Sequence, residues 1–340
     1  MMTDRNNTTV TPTMRAIAQH RYGTTGTLEY VEAGRPEIAP DEVLIEVHAA
    51  GVDRGVWHLM TGLPYLVRLS GFGLTKPKTP VLGLDVAGRV VAIGSGVMRF
   101  SVGDEVFGIA NGSYAEYAAA NESKLAHKPA RLSFEQAAVT ATSGGTALQA
   151  LTDAGRIGPG QRVLVIGASG GVGSFAVQIA GALGAKVTGV ASKDKADLVE
   201  AFGAERVFDY ATDPYLDGSE RYDLIIDTGG LTPVRRLKRA LTQNGTLVIV
   251  GGEGGGRWTG GIGRQLRASL WSLLLPQRLK ALVSREHHTY LERLAVHLER
   301  GAVVPAIGRR YRLEEVPAAI DDLAAGRASG KSVVVVRHDP

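Results

Sequence analysis

The sequence predicts an α/β protein in which a mostly β N-terminal part precedes a doubly wound parallel sheet. In the first third, short extended runs are separated by glycine, proline and aspartate turn signals, and these runs cover residues 43–49, 86–93 and 105–107. From residue 162 onward strand patterns alternate with helical patterns, and strands are predicted at 163–167, 186–191, 206–210, 223–227 and 246–251. Such alternation is typical of a parallel sheet covered by helices on both faces.

The composition agrees with a globular enzyme and excludes several other classes. The chain has 340 residues and 44 glycines without a collagen-like period, which indicates tight turns and close backbone approaches to a ligand. A net charge of +4 on 38 basic and 34 acidic residues does not indicate a nucleic-acid partner. The absence of cysteine excludes disulfides and thiol nucleophiles, so redox chemistry requires a bound cofactor. With no apolar stretch long enough to span a membrane and a polar stretch at residues 1–13, we expect a cytoplasmic protein.

Two amphipathic helices are predicted in the second half. The first follows strand 163–167 and has apolar residues every three or four positions, namely Val172, Phe175, Ala176, Ile179, Ala180 and Leu183. The second is marked by Leu291, Leu294, Ala295 and Leu298. Residues 332–336 then form a closing strand.

Residues 163–173 combine a buried strand, a glycine turn and a helix start, which is the context that a dinucleotide-binding fingerprint requires. Gly170 lets the backbone approach a pyrophosphate, and Gly173 lets the helix pack closely on the strand. The free N–H groups and the dipole of the helix then face the phosphates. An alanine stands where the first glycine of the fingerprint is usual. The predicted phosphate cradle consists of Ala168, Ser169, Gly170, Gly171, Val172 and Gly173.

The end of the next strand indicates which dinucleotide binds. Enzymes that use NAD usually carry an acidic residue about 20 residues past the glycines, where it binds the ribose 2′-hydroxyl. This sequence has Ser192 and Lys193 at that place, and a hydroxyl with an ammonium suits a 2′-phosphate. The sequence therefore predicts NADPH as the cofactor. In the alternative, the loop curls back and Asp194 binds a ribose.

Further motifs extend over most of the chain. They are 49–52 (AAGV), 83–90 (GLDVAGRV), 103–106 (GDEV), 114–117 (YAEY) and 330–331 (GK). Together with the glycine turn, they resemble those of the medium-chain dehydrogenase/reductase superfamily, in the quinone oxidoreductase branch that includes zeta-crystallin-like reductases and reticulon-4-interacting protein 1. The resemblance covers about residues 14–336.

The resemblance implies a GroES-like, mostly β catalytic domain over residues 1–137 that is completed by residues 288–340. A Rossmann domain that binds NADPH would cover residues 138–287. The active site would lie in the cleft between the domains, and the edge of the nucleotide-binding sheet would form a homodimer.

The resemblance also implies further cofactor contacts. Near the adenosine phosphate the matching residues are Tyr210 and either Lys331 or Arg327. Near the nicotinamide or its phosphates they are Thr142, Thr146, Gly251 and Gly252. The stretch Ser143-Gly144-Gly145 departs from the usual apolar pattern between the two threonines.

Zinc-dependent relatives carry a cysteine after the Gly-Val pair and a histidine and a glutamate in the next motif. Here those places hold Asp53, Leu84 and Asp85. Leucine cannot coordinate a metal, and the thiolate is missing, so no metal is expected. The remaining alternative is an improvised set such as Asp53 and His58.

With a bound nicotinamide and no metal, the expected step is hydride transfer to an electron-poor carbon or a quinone. A proton must also arrive, and the candidate catalytic residues are Asp53, His58 and Tyr65. His58 is alternatively a structural or surface residue, and Tyr65 a half-buried packing residue. The glycine-rich segment 253–263 is either a lid or a plain surface linker.

The predicted function is an NADPH-dependent reductase that transfers hydride to a small, hydrophobic, electrophilic quinone or α,β-unsaturated carbonyl. One alternative is an alcohol dehydrogenase or carbonyl reductase, which the missing zinc ligands disfavour. Another is a dinucleotide-binding sensor or scaffold without turnover.

Overall fold

The computed structural model describes residues 12–251, 256–272 and 275–337, and it confirms the predicted α/β class. The strands are β1 (Thr13–Ala18), β2 (Glu29–Gly34), β3 (Glu42–Val52), β4 (Asp85–Ile93), β5 (Glu105–Ile109), β6 (Tyr117–Asn121), β7 (Leu125–His127), β8 (Arg162–Ile166), β9 (Lys186–Ala191), β10 (Arg206–Asp209), β11 (Tyr222–Asp227), β12 (Leu241–Ile249), β13 (Arg278–Ala281), β14 (Ile307–Arg312) and β15 (Lys331–Val335).

The described helices are mostly short. They are α1 (Arg54–Thr61), α2 (Tyr65–Val67), α3 (Phe134–Ala138), α4 (Ala141–Gln149), α5 (Gly171–Ala182), α6 (Ala196–Ala201), α7 (Val234–Arg239), α8 (Ile262–Ser272), α9 (His288–Glu299) and α10 (Val316–Ala324). None of the described helices is long and apolar enough to cross a bilayer.

The β-rich part of the molecule is built on a seven-stranded sheet. Six of its strands lie in the order β14-β15-β3-β4-β5-β7, and β6 pairs with the first half of β3. The last strand of the chain, β15, runs antiparallel to β3, with Ser332 opposite Val52 and Val335 opposite Ala49. The C-terminal segment therefore returns to the sheet that the N-terminal segment begins.

The second sheet has six parallel strands in the order β10-β9-β8-β11-β12-β13. The chain order reverses next to β8, so the carboxyl ends of β8 and β11 face a topological switch point. Ligands of doubly wound sheets bind outside the strands at that point.

One hydrophobic core joins the two sheets. It includes Phe107 and Ala126 from the seven-stranded sheet as well as Val163, Phe175 and Leu294 from the nucleotide side. The middle of the predicted stripe of α5 is buried and its ends, Val172 and Leu183, are partly buried, because that helix packs on both the parallel sheet and α4. The two sheets are therefore joined by a packed hydrophobic interface. This interface fixes the floor of the cleft between them.

Most predicted strands match within one or two residues, but two features differ. The strand predicted at 246–251 begins earlier, since β12 starts at Leu241. Several strands were not predicted, namely β1, β2, β7, β13 and β14. The four residues of β13, Arg278 to Ala281, mix charged and apolar side chains in a run too short to show a period.

Candidate active site

The turn after β8 forms a cradle at the switch point. Gly167 has φ of 79°, a conformation that favours glycine, and α5 begins at Gly171 after the N-cap Gly170. No side chain caps this helix, so the first N–H groups of α5 remain available to an anion. A Cβ on Gly173 would overlap the carbonyl oxygen of Gly167 and lie 2.8 Å from Cα of Ala168. Only glycine fits there.

The structure also explains why an alanine replaces the first glycine of the fingerprint. Ala168 is fully buried, and its N–H donates to the carbonyl oxygen of Val190 at 3.0 Å. Its methyl group faces Gly189 on β9, where an added Cβ would come within 3.2 Å of it. Gly189 on the neighbouring strand leaves room for the methyl group of Ala168. The alanine therefore does not disturb the cradle.

A second glycine lines the switch point from the β12 side. A Cβ on Gly251 would overlap the carbonyl oxygen of Thr228, which follows β11. The hydroxyl of Thr228 donates to the carbonyl oxygen of Ile166 at 2.8 Å and ties the ends of β8 and β11 together. This gap between strand ends is where the residues present fit a dinucleotide. The other predicted glycine, Gly252, lies outside the described residues.

The residues predicted to recognise the 2′-phosphate meet at one edge of the parallel sheet. Lys193 and Tyr210 are exposed at the ends of β9 and β10, and the Tyr210 N–H donates to the carbonyl oxygen of Ala191 at 3.1 Å. The Ser192 hydroxyl bonds to the carboxylate of Asp194 and lowers the pKa of that carboxyl. A carboxylate, a hydroxyl and an ammonium therefore share this edge.

The two C-terminal candidates, Arg327 and Lys331, lie in different environments. The Arg327 guanidinium is bound to Asp322, with Nε 2.8 Å from Oδ1. Lys331 is instead buried, and a Cβ added to Gly171 would approach its Cδ to 3.0 Å. Lys331 therefore lies beside the phosphate cradle.

Lys331 belongs to a buried group of charged side chains, which we call the acid–lysine cluster (Asp53, Asp85 and Lys331). Its Nζ lies 3.9 Å from Oδ2 of Asp85, and both atoms are buried without a hydrogen-bond partner in the described part of the chain. Thr142 donates its N–H to Oδ1 of Asp85 at 3.1 Å, and its hydroxyl donates to the same oxygen. The cluster thus joins β4, α4 and β15 at the cleft floor.

Burial dominates the electrostatics of this cluster. The pKa of Asp85 is raised to about 7, first by complete burial and second by the negative charge of Asp53, while Lys331 and the Thr142 hydrogen bonds act in the opposite direction. Tyr114 is buried beside the same charges, and its pKa lies well above its ordinary value, mainly because of burial. Its hydroxyl donates to the carbonyl oxygen of Gly51 at 3.0 Å. Tyr114 therefore stays protonated, while Asp85 can exchange a proton near neutral pH.

Asp53 lies at the start of α1. Its Oδ1 accepts hydrogen bonds from the N–H groups of Gly55 at 2.6 Å and Val56 at 3.3 Å, so it is the N-cap of that helix. Its Oδ2 is buried and has no partner among the described groups. One oxygen is therefore structural, and the other is available to the cleft.

The other two candidate catalytic residues lie nearby, His58 within α1 and Tyr65 at the start of α2. Nδ1 of His58 lies 2.6 Å from the carbonyl oxygen of Leu63. The Tyr65 N–H donates to the carbonyl oxygen of Arg257 at 2.8 Å, and the Tyr65 ring packs edge-on against Trp258, with ring centroids 5.2 Å apart. Of the three candidates, Asp53 is the one whose charge acts on Asp85, whereas Tyr65 contacts the segment after β12.

Helix α4 carries both predicted threonines. Thr142 faces Asp85, and Thr146 is buried one turn later. Gly144, between them, has a packing reason, since a Cβ there would lie 2.5 Å from Cδ2 of Leu294 and 3.2 Å from Phe175, whereas a Cβ on Gly145 would meet nothing within 4 Å. The departure from the apolar pattern therefore lets α5 and α9 pack closely on α4.

A cavity of about 230 Å³ opens next to Leu84. Its lining is mostly apolar and includes Tyr22, Leu59, Phe72, Lys78, Leu82 and Leu84. The Oε1 atom of Gln19, which also lines the cavity, is buried without a partner among the described residues. Besides its apolar lining, the cavity offers a ligand polar contacts from Gln19, Lys78, Thr79 and Asn111.

The donor set does not fit zinc. Leu84 offers no ligand atom, and one oxygen of Asp53 is used as a helix cap. Across residues 12–251, 256–272 and 275–337, no three or more histidine, aspartate or glutamate side chains are grouped so that they could hold a metal ion.

In the sequence, Asp53 was a candidate catalytic residue, Lys331 was a candidate cofactor contact, and Asp85 stood out only at the place of a lost metal ligand. Their proximity depends on the pairing of β15 with β3 and of β3 with β4. A local pattern carries no signal for such a contact. The motifs at 83–90 and 330–331 contain Asp85 and Lys331, but they do not show that the two residues are in contact.

Comparison with known proteins gives concordant matches. The family model for the alcohol dehydrogenase GroES-like domain matches residues 39–130, and that for zinc-binding dehydrogenase matches residues 202–334. Quinone oxidoreductase from Homo sapiens is 31% identical over 334 residues, covering 95% of this chain and 98% of the human protein. The 2-methylene-furan-3-one reductase of Solanum lycopersicum is 29% identical over 337 residues, covering 94% of this chain and 79% of the tomato protein.

A solved structure agrees as well. The quinone oxidoreductase from Coxiella burnetii superposes with a TM-score of 0.84 at 29% identity. The match covers 96% of this chain and 100% of the Coxiella burnetii chain. The likeness extends over both sheets and the cleft between them.

Proposed function

The chain belongs to the medium-chain dehydrogenase/reductase superfamily and to its quinone oxidoreductase branch, and on this basis we propose that it is an NADPH-dependent, zinc-independent reductase of quinones or α,β-unsaturated carbonyl compounds. The observation that carries the proposal is the acid–lysine cluster beside the glycine cradle. It supports the proposal because it would supply a proton, and offers no zinc ligand set, beside the bound cofactor.

The cradle residues bind the cofactor through the backbone. The N–H groups at the start of α5 hold the pyrophosphate, and Lys331 adds a positive charge beside Gly171. Ser192, Lys193 and Tyr210 would bind the 2′-phosphate, and Thr142, Thr146 and Gly251 would line the nicotinamide side. When bound, the cofactor supplies a hydride.

The cleft floor supplies the proton. Because the pKa of Asp85 is about 7, a large fraction of this carboxyl is protonated at neutral pH. Asp53 shares its electrostatic environment, and its free Oδ2 extends the acid pair toward the cleft. Thr142 holds Asp85 in place. The mostly apolar cavity at Leu84 accepts the substrate and excludes water.

The names of the relatives support this substrate class. The human and Coxiella burnetii proteins are quinone oxidoreductases, and the tomato protein is a reductase of a 2-methylene-furan-3-one. A quinone and an exocyclic enone share an electron-poor carbon conjugated to a carbonyl group. The proposed reaction needs that feature only.

We also propose a homodimer in the cytoplasm. Strand β13 is the last strand of the parallel sheet, so its outer edge is available to a second copy.

The test is steady-state oxidation of NADPH with a panel of quinones, enones and simple ketones, before and after treatment with a chelator. We expect turnover of a quinone or an enone that survives chelation. Activity on alcohols or ketones that requires added zinc would show an alcohol dehydrogenase. Tight NADPH binding with no turnover of any compound would show a sensor or scaffold.

A further inference from the structure

The basic residues of this chain are unevenly distributed. Residues 54–84 and 254–285 contain no aspartate or glutamate, although the chain has 34 acidic residues. The two segments carry ten of the 38 basic residues, so the rest of the chain is net acidic. The positive charge of the protein is therefore concentrated in two stretches.

The structure brings parts of both segments together in a basic lip, which we define as residues 64–78 and 256–260. The Tyr65 N–H donates to the carbonyl oxygen of Arg257, and the Leu66 N–H donates to that of Trp258 at 3.3 Å. Pro64 packs within 3.1 Å of a Cβ built on Gly260. Loops from the two halves of the molecule thus form one surface feature.

The basic lip exposes large apolar side chains. Leu69 is 69% exposed, Phe72 45%, Leu74 64% and Trp258 73%. Lys76, Lys78 and Arg257 are exposed among them. Exposed apolar groups that cluster at one place mark an interaction site.

The protruding loop is held in shape by its own polar contacts. The Tyr22 hydroxyl donates to the carbonyl oxygen of Gly73 at 2.7 Å, and Nε of Arg68 donates to that of Gly62 at 2.9 Å. The Arg68 guanidinium also lies over the Tyr22 ring, 4.3 Å from its centroid. The apolar side chains are therefore presented on an ordered support.

We propose that the basic lip docks the protein on an anionic lipid surface. Apolar tips surrounded by lysine and arginine are the composition of interfacial membrane anchors, in which the tips enter the acyl boundary and the cations meet lipid phosphates. A bilayer satisfies both chemistries at once. This goes beyond the reductase function and does not depend on it.

Charge argues against the other occupants. In a symmetric contact between two copies, the lip would face its own cations, which repel each other. Nucleic acid would pair with the cations but leave Leu69 and Leu74 in water. A lipid surface is the partner that complements both features.

Docking by the lip would also place the cavity entrance at the membrane. Phe72 and Lys78 belong to the lip and line the cavity that reaches Leu84. An apolar compound dissolved in the bilayer would then have a short path to the cleft.

The experiment is cosedimentation of the full-length protein with phosphatidylcholine vesicles, with or without one-third phosphatidylserine. We expect binding that requires phosphatidylserine and weakens with salt. Leu69→Ser with Leu74→Ser should weaken the partition coefficient about tenfold or more, and Lys76→Glu about fivefold.

The matched control is Met98→Ser with Val102→Ser, which removes two apolar side chains that are 88% and 62% exposed elsewhere on the surface. This control should bind vesicles as the wild type does. Circular dichroism and NADPH titration verify folding of each variant, and Lys76→Glu alone carries the test if the double variant does not fold. Equal binding to neutral vesicles, no binding to either, or lip variants that bind normally would overturn the proposal. A change in the mass of the lip variants by light scattering, without a change in vesicle binding, would also overturn it in favour of a contact between copies.

Discussion

The phosphate cradle and the floor of the cleft lie side by side but use different parts of the chain. At the cradle the backbone does the binding, and glycines at 170, 171 and 173 keep side chains away from it. At the floor the side chains of Asp53, Asp85 and Lys331 meet in a buried place. The first arrangement suits any dinucleotide, whereas the second is particular to this chemistry. The account therefore predicts that changes at the cradle remove binding and that changes at the floor remove turnover.

The largest effect is expected from Gly173→Ala. The new methyl group would overlap the carbonyl oxygen of Gly167 and push α5 away from β8. Losing two charge-assisted hydrogen bonds, at about 1.5 to 3 kcal/mol each, would weaken NADPH binding by roughly two to four orders of magnitude. Overpacking would lower the free energy of unfolding by about 1 to 3 kcal/mol, so most of the fold should survive. Fluorescence titration and circular dichroism measure both.

Gly181→Ala is the matched control for that variant. Gly181 lies in the same helix, and an added Cβ meets nothing within 4 Å. It should bind NADPH normally and be stabilised by about 0.5 to 1 kcal/mol. Normal NADPH binding by a folded Gly173→Ala variant would show that this turn is not the phosphate cradle.

Asp85→Asn should separate turnover from binding. If Asp85 supplies the proton, its removal should lower kcat about a hundredfold, while the Kd for NADPH changes little. In the wild type, kcat/KM should fall as the pH rises above about 7, because the carboxyl then loses its proton. A variant that keeps both its kcat and this pH dependence would remove Asp85 from the mechanism.

The same variant tests the pKa of Asp85 through stability. A carboxyl whose folded pKa is raised from 3.8 to about 7 contributes stability below its ordinary pKa, and that contribution is lost as the pH rises toward 7. The stability of Asp85→Asn relative to wild type should therefore increase over this range, by at most about 1.4 kcal/mol per pH unit. Denaturant unfolding at several pH values measures it. Asp217→Asn, at an exposed carboxyl whose pKa is lowered, is the control without this increase. A relative stability of Asp85→Asn that does not change with pH would mean that Asp85 is not perturbed.

The smallest effect is expected at the cofactor's far end. Lys193→Ala should weaken NADPH binding about tenfold and leave NADH binding unchanged, because one exposed charge-assisted bond to the 2′-phosphate is lost. Lys186→Ala, at the exposed start of the same strand, should change neither. Equal losses for both cofactors, or wild-type protein that prefers NADH, would instead identify Asp194 as the ribose ligand.

The contrast between the two regions also decides what the sequence could predict. The cradle lies within eleven consecutive residues, 163–173, and its strand, turn and helix each leave a local pattern. Even the alanine at 168 could be flagged there, although the compensating Gly189 could not.

For the cleft floor, the sequence showed the individual residues but not that they lie together. Asp53 and Asp85 were recognised as replacements for metal ligands, and Lys331 as a cofactor contact. Their meeting requires two strand pairings, one of which brings the end of the chain back to β3. The raised pKa of Asp85 follows from complete burial, which no spacing encodes. His58 and Tyr65 were candidates from the same stretch as Asp53. In the structure, the His58 ring contacts the carbonyl oxygen of Leu63 and the Tyr65 N–H donates to Arg257 after β12.

The most direct measurement of hydride transfer uses NADPH that carries deuterium at both C4 positions and an enone substrate, in the presence of a chelator. An enone is the better probe because the transferred hydrogen stays on carbon, whereas hydrogen on a hydroquinone oxygen exchanges with water. The account predicts a saturated carbonyl product that carries one deuterium at the β-carbon by mass spectrometry, with the α-hydrogen drawn from solvent through the protein. An unlabelled product, or no product from protein that binds NADPH tightly, would contradict it.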